Sequence, residues 1–173
     1  MRRVLILAGA VLIGIFLILM QREEQRGGPG SGNAAELNLA APAFELQDLD
    51  GNMVSLADFQ GKIVMLDFWA TWCGPCRMTM PLLEELQQEH PDDFTLLAIN
   101  LGEPLDLVFP YVKRQGIHSR VLLDIDNSVG SAYGSSSIPM QVIIDQQGIM
   151  RFVQTGFYAA MKEDLWEEIR KLQ

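Results

Sequence analysis

The sequence predicts an α/β domain with a mixed central sheet flanked by helices, and three observations carry that prediction. Segments of strand and helix character alternate along most of the chain. The stretch "KIVMLDFWA" at 62–70 is a continuous apolar run of the kind found in a strand buried on both faces. Near the end, "MQVIID" and "IMRFVQTG" read as two strands joined across Gln147-Gly148.

Ahead of this domain the chain is different in kind. "VLILAGAVLIGIFLILM" at 4–20 follows the basic start "MRR" and holds 17 apolar or small residues without a charge, at the short end of what spans a hydrocarbon core of roughly 30 Å. Residues 1–20 read as an N-terminal membrane anchor in contact with the lipid bilayer. A cleaved signal peptide is the rival, but its apolar region is normally about 7 to 15 residues, and the nearest small-residue site, "NAA" at 33–35, is poorly placed. Arg2 and Arg3 stand free of acids, whereas Arg22 and Arg26 are interleaved with Glu23 and Glu24. That bias favours a single pass with the N-terminus inside and the domain on the extracytoplasmic, periplasmic side. Residues 21–35, "QREEQRGGPGSGNAA", lack apolar periodicity and read as a flexible linker.

One domain fills 36–173. It carries 20 acidic and 9 basic residues, a net charge of −11, which disfavours nucleic acid as a partner and reads as a solvated acidic surface. "APAFELQDLDGNMVSL" is expected to form an edge hairpin turning at Asp50-Gly51, and the buried strand at 62–70 follows. After the cysteines, "PLLEELQQEH" sets Leu82, Leu83 and Leu86 on one face, a helical period. "DFTLLAIN" is the next buried strand, "PLDLVFPYVKRQG" a helix interrupted by Pro110, "RVLLDI" a short strand, and "NSVGSAYG" a short helix ending at Gly134. The hairpin at 140–156 and an amphipathic helix, "AAMKEDLWEEIRKL", complete the domain.

Cys73 and Cys76, the chain's two cysteines, fall where the buried strand ends and a helix begins, the position where open α/β sheets place their sites. At the helix N-terminus, free N–H groups and the positive end of the dipole lower a thiol's pKa and favour a thiolate nucleophile at Cys73. Pro75 fits the first turn because it lacks an N–H that would have no helical partner there. Cys76 is then the resolving thiol, expected to be the more buried of the two. A zinc site would need four ligands, and beyond the cysteines only His90 and His118 are soft donors, 28 residues apart. A disulfide across three residues closes a loop too small to stabilise much, and Arg77 stands where a haem-attachment motif needs histidine.

Asp67 lies in the middle of the buried run, where an unpaired charge is costly; it should be protonated with a raised pKa or well hydrogen-bonded. Its place on the strand leading to the cysteines points to proton transfer, accepting the Cys76 proton through a water. Met78 and Met80 beside the thiols leave open a Cu(I)-binding or copper-site assembly role, against the plain reading of methionines as core filler. A peroxiredoxin-like peroxidase is a second rival, but would want Thr-x-x-Cys rather than this pair.

"DFWATWCGPC" resembles the thioredoxin active-site segment almost letter for letter, and Pro81, five residues after Cys76, matches the proline that kinks that helix. The resemblance covers about residues 39–172. "APAFELQDLDGNMVSLADFQGK" is similar to the lead-in of the TlpA/ResA-like membrane-anchored thiol-disulfide oxidoreductases, and 104–124 to their helix-strand insertion. The resemblance implies a thioredoxin-like fold with an N-terminal hairpin. It also implies a cis-proline at Pro139, in "SSIPMQVIID", facing the redox-active Cys73–Cys76 disulfide, and an Ile138 backbone that pairs with a substrate strand. Trp72, Gly156 and the Gly74-Pro75 pair would form the docking surface. The implied activity is reduction of protein disulfides, with no organic cofactor and a transmembrane thiol-relay protein as electron donor, in cytochrome c maturation or envelope thiol homeostasis. Gly-Pro between the cysteines is the dipeptide of thioredoxin, a reductant near about −270 mV. Two departures stand out: Thr79 where many relatives that reduce apocytochrome c carry glutamate, and Met140 where the family usually has threonine.

Overall fold

A computed structural model of the protein describes residues 35–173. The expected anchor at 4–20 and nearly all of the expected linker at 21–35 lie outside the described residues, among which no helix is long and apolar enough to cross a membrane.

Eight strands form one sheet: β1 (Ala35–Ala40), β2 (Glu45–Asp48), β3 (Met53–Ser55), β4 (Val64–Trp69), β5 (Thr95–Leu101), β6 (Arg120–Asp124), β7 (Met140–Ile144) and β8 (Ile149–Thr155). Their order is β1-β8-β7-β4-β5-β6-β2-β3. β4, β5 and β6 run parallel, and the strands on either side of them pair antiparallel, so the sheet is mixed as expected. The helices are α1 (Cys76–Glu89), α2 (Leu105–Gln115), α3 (Ser128–Ala132) and α4 (Met161–Arg170), with a 3-10 turn at Leu56–Phe59.

β4 is buried at every position because both of its faces are covered. Val64, Leu66 and Phe68 point into one core with Leu97, Ile99, Val142, Ile144 and Tyr133. Met65 points the other way, into a core with Leu83 and Leu86 of α1, Ile143 of β7 and Met161, Leu165 and Ile169 of α4. Trp69 shares that second face and joins Cys73, Cys76, Met80, Ala98 and the α2 residues Val108, Tyr111 and Val112. β8 instead alternates half-buried and buried residues, as an antiparallel strand with one face on the core should.

Polar side chains stitch the helices to the sheet where apolar packing ends. The Gln87 amide donates to Phe94 O at 3.0 Å and accepts from Leu96 N at 2.7 Å, so the end of α1 is pinned to the start of β5. Glu84 accepts the backbone N–H groups of His118 and Ser119 and the Ser119 hydroxyl, holding the loop before β6.

Three expectations change. α2 is not interrupted at Pro110, and α1 likewise runs through Pro81. Each proline is exposed, and the carbonyls they leave without a donor belong to the exposed Arg77 and Asp106, where water can take the bond. β1 is an additional edge strand, paired with β8, in a short segment that directly follows the Gly/Ser/Pro-rich stretch expected to be linker. The Leu56–Phe59 turn is also additional, closed by Ser55 N–H donating to Asp58 at 2.8 Å.

Leu165 is fully buried at the α4–sheet contact. Leu165→Ala should cost about 2–5 kcal/mol in urea denaturation while leaving the disulfide's redox equilibrium unchanged, because the side chain packs away from the cysteine cluster.

Candidate active site

β4 ends at Trp69, and the chain turns through Ala70–Pro75 before α1 starts at Cys76. Cys73 N–H donates to Ala70 O at 3.1 Å, which closes the turn. Cys73 and Cys76 are joined as a disulfide with their Cα atoms 5.3 Å apart. The Cys76 N–H donates to Cys73 Sγ at 3.2 Å, so Cys73 takes the first free amide of α1 and stands on the positive end of that helix. On reduction the same placement favours a Cys73 thiolate. The expected contrast in burial is absent: Cys73 is 3% and Cys76 2% exposed. Both cysteines pack in the cluster with Trp69, Met80, Ala98 and Val108.

The turn is braced by a residue that motif reading does not reach. Glu103, 7% exposed just beyond β5, accepts the Thr71 N–H at 2.7 Å, the Thr71 hydroxyl at 2.5 Å and Asn100 Nδ2 at 2.8 Å. A buried carboxylate with three donors holds the segment two residues before Cys73. The available signal was weak: an asparagine ending an apolar strand, with an acid three residues later.

Asp67 is completely buried, on the same β4 face as Met65 and Trp69. Its register partner on β5 is Ala98, which packs in the cysteine cluster, and on β7 it is Gln141. Gln141 Nε2 donates to Asp67 Oδ1 at 2.6 Å, while Oδ2 has no partner among the described residues. Burial pushes the carboxyl up to about 7, against the opposing pull of the Gln141 hydrogen bond. Of the two alternatives expected for this residue the raised pKa is the one found, with a single hydrogen bond from Gln141 rather than a fully hydrogen-bonded carboxyl.

The Ile138–Pro139 peptide is cis. Ile138 packs against the cluster that contains both cysteines, and Gly156 N–H donates to Pro139 O at 2.8 Å, with Gly156 in the left-handed region at φ 84°. Trp72 is exposed, as are Gly74 and Pro75. A Cβ on Gly74 would meet no atom within 4 Å, so the space around it is open. Met140, where a threonine was expected, is buried in the opposite core. Thr79 is fully buried and donates to Cys76 O at 3.1 Å. Met80 packs in the cluster that contains both cysteines, whereas Met78, two residues away on α1, is exposed, so the two thioethers do not meet there as a pair. His90 stacks on Trp166 with ring centroids 3.5 Å apart, away from the cysteine cluster.

Comparison with known proteins points the same way as the geometry. The AhpC/TSA family model matches residues 37–153. The thiol-disulfide oxidoreductase ResA of Geobacillus thermodenitrificans is 34% identical over 141 residues, covering 81% of this chain and 80% of the relative. ResA of Bacillus cereus is 31% identical over 169 residues, 97% of this chain and 91% of its own length. Among solved structures, a protein assigned as the thiol:disulfide interchange protein DsbE of Chlorobium tepidum superposes with a TM-score of 0.75 at 30% identity, over 79% of this chain and 97% of that one.

Two outcomes follow from the buried acids. Glu103→Ala leaves the Thr71 N–H and Asn100 Nδ2 without their acceptor and should cost about 1–3 kcal/mol, with faster amide hydrogen exchange at Thr71. Asp67 titrates higher folded than unfolded, so the folded state binds its proton more tightly and stability falls as pH rises from about 4 to about 7. Above that window the buried charge costs on the order of 4 kcal/mol. Asp67→Asn should therefore stabilise the oxidised protein by a few kcal/mol at about pH 8 and change little at about pH 4. Equal urea midpoints at the higher pH would contradict the burial argument.

Proposed function

The chain belongs to the AhpC/TSA family, has the thioredoxin-like fold and is a thiol-disulfide oxidoreductase, and from this premise we propose that it is a membrane-anchored, extracytoplasmic reductant of protein disulfides. The observation that carries the reading is the Cys73–Cys76 pair at the N-terminus of α1, with the exposed Trp72 and Gly74-Pro75 beside it.

The electron flow is a two-step exchange. Cys73 thiolate attacks one sulfur of a substrate disulfide, forming a mixed disulfide and releasing the other substrate sulfur as thiolate. Cys76 then attacks Cys73 Sγ; the bond from Cys73 to substrate breaks, the second substrate thiolate leaves, and the Cys73–Cys76 disulfide forms. Substrate gains two electrons and the dithiol loses them. Asp67 accepts the Cys76 proton through a water in this second step. The Ile138 backbone pairs with the substrate strand, and Pro139, Trp72, Gly74, Pro75 and Gly156 shape the docking surface. The apolar run at 4–20 supports anchoring, with a transmembrane thiol-relay protein restoring the dithiol.

Among possible substrates, Thr79 weighs against apocytochrome c. Its hydroxyl is spent on Cys76 O, and no acid occupies the position where relatives of that role carry one. General envelope thiol repair fits better. The peroxidase alternative loses ground because Ala70 stands three residues before Cys73, where a Thr-x-x-Cys motif needs threonine.

Cys76→Ser should accumulate mixed disulfides on Cys73 that thiol reductants release, and equilibrium titration followed by Trp69 and Trp72 fluorescence should give a potential near about −270 mV. A value near about −120 mV would reverse the direction to disulfide donation. Asp67→Asn should slow single-turnover release of the mixed disulfide about 10- to 100-fold near neutral pH; an unchanged rate would remove its proton role.

A further inference from the structure

The β4 face that holds Asp67 continues as a row of polar side chains across the sheet. Asp67, Gln141 and Gln154 are register partners on β4, β7 and β8, and all three are completely buried. Apolar residues flank the row, with Met65, Ile143 and Phe152 in the α1–α4 core. Buried amides without function are costly in such a place. Within the row the two glutamines behave differently. Gln141 Nε2 donates to Asp67 Oδ1 at 2.6 Å, whereas Gln154 Nε2 turns away and donates to Thr155 O at 2.9 Å. Asp67 Oδ2 is left without a partner among the described residues.

We propose that Gln141 is a positioning residue for the resolving step, its amide occupying Asp67 Oδ1 so that the Cys76 proton is received at Oδ2 and the carboxylate is kept in the ionised form that can take it. This rests on the proton role proposed above for Asp67. The hydrogen bond is to the charged form, so it opposes the desolvation that burial imposes. Among the described residues no other group on the facing elements supplies that opposition. β5 presents Ala98, and α4 presents Met161 and Leu165 to the neighbouring core. The titratable groups in the adjoining cluster are Cys73 of the preceding turn, Cys76 of α1 and Tyr111 of α2. Burial and Gln141 are the causes acting on Asp67, with no charged side chain among them.

The test compares the full-length wild-type chain with Gln141→Met, which keeps the side-chain length without the donor, and with Gln154→Met and Asp67→Asn. Two readouts are taken between about pH 5 and pH 10: single-turnover release of a mixed disulfide at Cys73, and the carboxyl-carbon NMR titration of Asp67 in the dithiol form. In Gln141→Met both midpoints should move up by about one pH unit, with the high-pH plateau of release largely kept. Gln154→Met should titrate like the wild type. Unmoved midpoints in Gln141→Met, with release slowed in Asp67→Asn, overturn the assignment of Gln141 alone. An equal shift in Gln154→Met overturns it too, because general loss of polarity would then explain the effect. If Asp67→Asn releases at the wild-type rate, the proton role falls and this inference with it. Gln141→Leu serves the same comparison should Gln141→Met not fold.

Discussion

Strand β4 is covered on both faces along its whole length, and every functional position is measured from it. With Val64, Leu66 and Phe68 committed to one core and Met65 and Trp69 to the other, a one-residue slip would exchange the two sets and bury the wrong surfaces. The register is therefore held rigidly, and the chain leaves the strand at a fixed point, from which Ala70–Pro75 carries Cys73 onto the first amide of α1. The same burial makes Asp67 an unusual acid. A carboxyl within an apolar strand loses its hydration, and its proton affinity rises into the range useful at neutral pH.

Two carboxylates thus serve the site in opposite ways. Glu103 is surrounded by donors, from Thr71 and Asn100, and acts as a brace for the turn before Cys73. Asp67 has one donor, from Gln141, and one unpartnered oxygen. Three donated hydrogen bonds make the first a brace. Partial saturation leaves the second able to change its charge, which is what a proton acceptor for a buried thiol requires.

Above this interior Trp72, Gly74 and Pro75 are exposed around sulfurs that are themselves almost covered, and this is the surface to which the proposed docking role is assigned. The acidic surface of the domain disfavours nucleic acid and anionic lipid as partners.

Local pattern was enough for much of this. The double-sided burial of β4, the helical period after Cys76, the hairpin at Gln147-Gly148 and the Cys-Gly-Pro-Cys spacing are short-range features, written within a few consecutive residues, and each appears where the sequence places it. Asp67 was conspicuous for the same reason, one charge in an apolar run. What the sequence left open depends on distant segments meeting. β1 exists because β8 offers it an edge, the prolines at 81 and 110 are tolerated because their turns face water, and Cys76 is no more buried than Cys73 because α2 and the sheet close over both. Glu103 reaches Thr71 across 32 positions and Gln141 reaches Asp67 across 74. A side chain's donor or acceptor gains meaning only from what lies opposite, and in a sheet assembled from non-local strands the opposite residue is chosen by the register of the whole fold.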